Sequence, residues 1–283
     1  MSRTPGENLR DLLARQSKVL AVLGPISGQQ AKIMEHCGVE AGFVGTGLTF
    51  GHITGLADNG VASSTECLML GGYIARAVAF PVILDGDTGH GGVDAVKRLV
   101  GGAIREGLAG IRIDDQPIEV KRATQSEGVA IVDERAAIER YAAACSARDE
   151  LDPSFLIMAQ CYARDAVNGG LDELHRRLSL YEDESGVDWV QFESPHSVDE
   201  VRSAREVVKG CFSVMQGKMA RPLSLPEHQE IGLQAAWYTF LPSRIVQSAS
   251  LEFLTDFRDR GIEAWTEYLQ DHEETLARFR GIQ

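Results

Sequence analysis

The sequence predicts an α/β protein, a (β/α)8 TIM barrel forming one domain over residues 1–283, and three observations lead there. Eight short apolar or β-branched runs recur along the chain, each separated from the next by a longer stretch of helical periodicity. The length of 283 residues suits a single barrel, which typically needs about 250. Several runs end on a carboxylate or a carboxamide, and the C-terminal ends of strands are where barrels carry their chemistry. The alternation alone would also suit a doubly wound sheet.

In chain order the predicted strands are VLAVL (19–23), GFVG (42–45), PVILD (81–85), GIRID (110–114), FLIMA (155–159), WVQFE (189–193), FSVM (212–215) and AAWY (235–238). Helices are expected between them. GQQAKIMEHCG ends on Gly38, where a helix terminus favours glycine, and ERAAIERYAAACSARDE repeats apolar residues three and four apart. After the last strand, residues 242–283 keep a helical pattern with no further strand. Leu251, Phe253, Leu254, Phe257, Trp265, Tyr268 and Leu269 give this extension more apolar surface than one barrel flank needs, so it is expected to pack on a neighbouring subunit.

Composition narrows the function. Apolar residues at 44% and charged residues at 24% describe an ordinary globular chain. A net charge of -13 with no Lys/Arg stripe argues against nucleic acid as a partner. No run reaches the ~18 apolar residues of a membrane span, and the N-terminus lacks the apolar segment of a signal peptide, so a cytoplasmic location is expected. The five cysteines are widely spaced with no CxxC pair, which suggests neither a disulfide framework nor a zinc site.

The strand ends carry the chemistry. They present Thr46 after Gly45, Asp85 with Asp87, Asp114 with Asp115, then Gln160, Glu193 and Gln216. Gathering Asp85, Asp87, Asp114 and Glu193 at one barrel mouth would cost several kcal/mol in repulsion and desolvation. A hard divalent cation relieves that cost, and Mg²⁺, or Mn²⁺ in its place, takes one or two carboxylates with water completing the octahedron. The stretch ILDGDTGHGG (83–92) fits, because Asp87 returns to the side of Asp85 while the glycines let backbone approach a ligand. The competing explanation is a turn rich in Asp and Gly for backbone reasons alone.

These residues match a known group. GTGLTFGHITGLADNG (45–60), the D-x-D-x-G-x-G pattern of ILDGDTGHGG, RIDDQ (112–116), LIMAQCYARDAV (156–167), WVQFESP (189–195) and FSVMQGKMARPLSLPEHQEIG (212–232) occur in the order seen in the isocitrate lyase and phosphoenolpyruvate mutase superfamily, which the sequence resembles over most of its length. That superfamily includes methylisocitrate and alkylmalate lyases, oxaloacetate decarboxylases and phosphonopyruvate-processing enzymes. The resemblance implies a barrel with its last helices exchanged between subunits, a homodimer or homotetramer, and Mg²⁺ holding a small carboxylic acid whose enolate it stabilises. It implies Asp85 and Asp87 at the metal with Asp114 completing the environment, and Asp58 beside the metal waters. Thr46, Gly47 and Leu48 would bind the substrate carboxylate through backbone N–H groups.

The departures from the pattern are informative. The carbon–carbon lyases carry K-[KR]-C-G-H in the loop after RIDDQ; here it reads VKRATQSEGV, so Lys121 and Arg122 are kept as catalytic candidates, while Ala123 stands where the acidic thiol would be. Gln160 stands for a substrate-gripping Arg, Gln216 for an Asn, and Asp114 for a Glu. His52, Lys121, Tyr162 and His196 are candidate proton donors in place of the thiol. Arg164 and Asp165 read as a surface ion pair. The expected function is a Mg²⁺-dependent lyase or decarboxylase acting on a 2-oxo or 2-hydroxy acid. Phosphonopyruvate-type phosphorus–carbon chemistry is one alternative, and a catalytically silent metabolite-binding barrel is another.

Overall fold

Each of the eight apolar runs forms a strand, with bounds within two residues of those read from the sequence. The computed structural model describes residues 3–15 and 17–282. The strands are β1 (Leu20–Leu23), β2 (Ala41–Val44), β3 (Val82–Asp85), β4 (Gly110–Asp114), β5 (Leu156–Cys161), β6 (Trp189–Glu193), β7 (Cys211–Met215) and β8 (Ala235–Trp237). All neighbours pair in parallel in the order β7-β6-β5-β4-β3-β2-β1-β8. A doubly wound sheet would reverse its strand order partway; this one follows the chain round. Gln234 bridges the remaining seam between β7 and β8: its N–H donates to the Phe212 carbonyl at 3.4 Å, and its side-chain oxygen accepts from the Phe212 N–H at 2.9 Å.

Between the strands lie α2 (Gly28–His36), α3 (Gly51–Thr54), α4 (Ser64–Ala75), α5 (Val93–Arg105), α6 (Glu134–Leu151), α7 (Leu171–Ser185), α8 (Val198–Val207) and α9 (Leu225–Ile231), with α1 (Pro5–Leu13) before the first strand. Gly38 takes φ +82° just after α2, as its placement in the sequence suggested. The helices pack on the outer face of the strands through residues such as Val96, Leu99, Tyr141, Leu174 and Tyr181. Inside the barrel the lower layers are apolar. Leu20, Ala41, Ile83, Leu156, Trp189, Phe43, Met158 and Trp237 share one cluster, and Leu9 and Leu13 of α1 belong to it, closing the bottom. Trp237 meets the Trp189 ring at 5.2 Å and the Phe43 ring at 5.3 Å. With the lower barrel filled, polar side chains are left only the upper, C-terminal rim.

The C-terminal extension forms α10 (Leu241–Arg260), α11 (Ile262–Asp271) and α12 (Glu273–Arg280). Phe253 packs on Trp265 at 5.8 Å and on Tyr268 at 5.2 Å, so α10 and α11 hold each other. Little else in them is covered: Ile245 is 68% exposed, Leu251 72% and Leu254 60%.

Trp237 is fully buried between two aromatic neighbours, so its replacement by alanine opens a large void in the barrel interior. Urea unfolding of Trp237→Ala is expected to show a loss of about 3–5 kcal/mol; a loss below ~1 kcal/mol would contradict the packing described.

Candidate active site

The segment after β3 is folded back on β4. The Gly86 N–H donates to the Arg112 carbonyl at 2.7 Å, and the Asp114 N–H donates to the Asp87 carbonyl at 2.7 Å. A side chain at Gly86 would lie 2.8 Å from the Ile111 side chain and 2.9 Å from the Arg112 carbonyl, so only glycine fits this approach. Asp87 then adopts φ +51°, a left-handed conformation that Asp tolerates better than most residues. The turn returns Asp87 to the side of Asp85, and both carboxylates are buried at the same mouth.

Two buried cations sit among these carboxylates. Arg112, on β4, donates from Nη2 to Asp85 Oδ2 at 3.0 Å, and its Nε lies 4.0 Å from Asp114 Oδ1. Lys121 Nζ is hydrogen-bonded to Asp58 and lies 3.3 Å from Asp87 Oδ2. The N–H and hydroxyl of Thr46 both donate to Asp85 Oδ2 at 3.1 Å, and the Asp87 N–H donates to Asp85 Oδ1 at 3.1 Å. Burial alone would raise the Asp85 carboxyl; Arg112, Lys121 and these N–H groups outweigh it and hold the group below the usual carboxylate range. Asp114 lacks such help. Burial pushes it well above that range, with Arg112 only partly compensating. Burial also raises Asp58, against the pull of Lys121.

Four carboxyl groups face two cations, so the cluster carries a surplus of up to two negative charges when all four are ionised. Among the described residues Asp87 Oδ2 has only the ion-pair contact with Lys121, and Asp114 Oδ1 has no hydrogen-bond donor. That surplus suits a divalent cation. Among the described residues no three His, Cys, Asp or Glu side chains are gathered closely enough to hold an ion by themselves. An ion here would therefore take one or two carboxylates directly and water for the rest, as Mg²⁺ commonly does.

Above the cluster opens a cavity of about 550 Å³, lined by Gly47, Leu48, Asp58, Asp85 and Gln216 among the residues expected from the sequence. Thr46 is not among the lining residues, its N–H and hydroxyl being engaged by Asp85 and Asp58. Gln216 Oε1 accepts from the Leu223 N–H at 2.6 Å, which turns the amide so that Nε2 is left without a partner. Gln160 donates from Nε2 to Glu193 Oε2 at 2.6 Å, and Ser194 donates to the other Glu193 oxygen at 2.8 Å. Burial pushes Glu193 up to about 7, partly offset by Ser194, Arg112 and Gln160. From the loop after β4, the cavity is lined by Ala123, Thr124 and Gln125, with Arg122 held outside by backbone hydrogen bonds to the Gln116 side chain.

Two cationic residues of the cavity, Arg112 and Arg244, escaped the sequence reading. Arg112 could have been found, because strand alternation puts it on the same face as Asp114. Arg244 reaches the rim from the first turn of α10, and no pattern in the sequence links that turn to the strand ends. Arg164 and Asp165 do form the ion pair read from the sequence, at 3.7 Å, but within a wider network and not as an isolated surface pair. Their side chains are mostly covered: Arg164 binds Glu200 at 2.8 Å, and Asp165 binds Lys218 at 2.6 Å and His196 at 2.9 Å, because β5 ends beside the first turn of α8. His52 contacts Ser243 at 2.7 Å, and Tyr162 lies 3.4 Å from the Thr124 hydroxyl.

Eight parallel strands with an apolar lower interior and an ionised upper mouth define a TIM barrel of the enzyme type. The family description "Phosphoenolpyruvate phosphomutase" matches residues 9–256, and the chain belongs to that family, within the PEP mutase/isocitrate lyase superfamily. It is 28% identical to 2,3-dimethylmalate lyase of Eubacterium barkeri over 89% of this chain and 85% of that one. It is also 28% identical to 2-methylisocitrate lyase of Aeropyrum pernix, over 92% and 82%. Among solved structures, oxaloacetate acetylhydrolase in complex with 3,3-difluorooxalacetate superposes with a TM-score of 0.85 at 22% identity, covering 98% of this chain and 97% of that one. Phosphoenolpyruvate phosphomutase from Streptomyces platensis subsp. rosaceus gives 0.85 at 24%, covering 99% and 96%.

The Glu193 carboxyl binds its proton more tightly in the folded protein than its ordinary value of 4.5 allows. Stability is therefore expected to fall as pH rises from about 4.5 to about 7, by about 3 kcal/mol from this group. Glu193→Gln should flatten that part of the profile in denaturant unfolding with chelator present; an unchanged slope would count against a raised Glu193.

Proposed function

We propose that this protein is a divalent-metal-dependent lyase that cleaves or decarboxylates a small 2-oxo or 2-hydroxy carboxylic acid through its enolate. The observation that carries the reading is the cluster of Asp58, Asp85, Asp87 and Asp114, four carboxyl groups against the two cations Arg112 and Lys121, at the floor of a cavity of about 550 Å³ that opens at the strand ends. A divalent cation, Mg²⁺ or Mn²⁺, held by Asp85 and Asp87 with Asp114 nearby would act as a Lewis acid toward negative charge developing on the substrate. The named lyase relatives support the same class.

The chain's own residues supply the rest. Gly47 and Leu48 form the cavity wall beside Asp85. Asp58 lines the cavity with a carboxyl raised by burial, so it can hold and release a proton there, and Lys121 balances its charge when ionised. Among the described residues no cysteine lines the cavity. Cys67 lies behind Thr46 and Asp85 beside a space of only about 10 Å³, and burial raises its thiol, so it does not replace the missing acid. Arg244 at the rim has no ion-pair partner among the described residues and suits a second carboxylate of the substrate.

Phosphonate chemistry is less well served: Lys121 is engaged by Asp58 and Asp87, Arg112 shares its guanidinium with Asp85, and Gln160 carries no charge where a further cation would be needed for a dianion. The buried atoms Asp114 Oδ1 and Gln216 Nε2, without a hydrogen-bond partner among the described residues, each cost stability until a ligand meets them, which supports a ligand-binding mouth. The exposed face of Ile245, Leu251 and Leu254 on α10 supports a homo-oligomer in which the C-terminal helices cover a second subunit.

Thermal unfolding with Mg²⁺ and oxalate tests the site, because oxalate presents the two oxygens of a pyruvate enolate. At one hundred times its dissociation constant a ligand stabilises the native state by about 2.7 kcal/mol, a shift of several degrees. The shift is expected to need both components and to vanish in Asp85→Asn; a full shift in that variant would refute the metal assignment. For the assembly, Leu251→Glu combined with Leu254→Glu should lower the molecular mass in sedimentation, whereas an unchanged oligomer would exclude this face as the interface.

A further inference from the structure

We propose that Arg112, with Gln216 as second donor, is the clamp that grips the substrate's carboxylate and sets the specificity of this site. The inference rests on the reading of the cavity as an oxo-acid site and names the residue that recognises the acid. Burying a guanidinium is costly unless its donors are satisfied, and Arg112 is buried at the floor of the cavity. Of its donors, among the described residues, only Nη2 reaches an acceptor at hydrogen-bond distance, Asp85 Oδ2. Its Nε is left unpartnered, with Asp114 Oδ1 too far at 4.0 Å. A counter-ion for Asp85 alone would not require the remaining fork.

The second donor is independent of the first. Gln216 Nε2, from the end of β7, is also buried and unpartnered, and its orientation is dictated by the Leu223 N–H bound to Oε1. Two unsatisfied donors, one of them cationic, belong to side chains that line one cavity. The chemistry they ask for is an oxyanion. The Phe43 ring lies under the guanidinium, 4.5 Å from centroid to Cζ, and supports its position so that its edges stay available for planar hydrogen bonding. Gln160, on the neighbouring strand, donates to Glu193 and brings no charge. Arg112 is therefore a fixed cation beside Asp85, where the reacting end of an oxo acid would lie, and a ligand without an oxyanion such as a carboxylate would leave both donors unpaired.

The test measures binding, with Arg112→Lys as the first variant because it keeps the charge beside Asp85, and Arg112→Gln as the second. Oxalate is titrated calorimetrically with Mn²⁺ and again with chelator, and Mn²⁺ alone is followed by electron paramagnetic resonance. Arg112→Lys is expected to melt cooperatively and to bind Mn²⁺ within about threefold of wild type, while losing at least tenfold in oxalate affinity; Gln216→Leu should lose severalfold. Unchanged oxalate affinity in Arg112→Lys and Arg112→Gln would overturn the clamp and leave Arg112 as a counter-ion, with the metal reading intact if Mn²⁺ still binds. Oxalate binding in wild type that needs no metal and is lost in Arg112→Lys would support the clamp while refuting the metal reading. Failure of wild type to bind oxalate under either condition would overturn both.

Discussion

The structure depends on one electrostatic constraint: four carboxylates share a buried barrel mouth with two fixed cations. Two unit charges 4 Å apart interact by about 4 kcal/mol at an effective dielectric of 20, so each placement within this cluster matters energetically. Arg112 and Lys121 neutralise part of it, and the effect is uneven. Asp85 is held ionised by its donors, while Asp114 and Asp58 are driven toward protonation by burial. A site with one committed anion and neighbours able to change charge is suited both to receiving a cation and to moving protons.

The rest of the barrel keeps that mouth in place. The aromatic layer of Phe43, Trp189 and Trp237, with α1 below it, fills the interior so that water and polar groups concentrate at the C-terminal rim. The register that sets Asp85 beside Arg112 and Asp114 beside Gln160 follows from parallel pairing of β3, β4 and β5. A shift of one residue would turn Arg112 and Asp114 outward into the apolar layer under the helices, so core packing and charge placement are enforced by the same register.

The altered chemistry of the mouth is distributed across neighbouring strands. Positive charge is missing at Gln160 but present at Arg112, two residues before the strand end and one strand away. The loop after β4 brings Ala123, Thr124 and Gln125 to the cavity with no thiol, leaving carboxyl groups as the titratable wall.

Strand number, strand identity and the carboxylate-bearing ends were legible in the sequence, because hydrophobic periodicity and the last residue of a strand are local properties. So was the return of Asp87 to the side of Asp85, a turn encoded within a few residues, whereas the close approach of Gly86 to Ile111 and Arg112 on the next strand was not. The pairing of Arg112 with Asp85, the closure of the barrel by Gln234, the covered network of Arg164 and Asp165, and the arrival of Arg244 at the rim were decided only by tertiary structure. Each depends on the distance between side chains far apart in the chain or on different strands, and neither composition nor periodicity carries that distance. The orientation of the Gln216 amide is the smallest example: the residue was identified from its position, but which of its atoms is left to a ligand was set by a backbone N–H seven residues away.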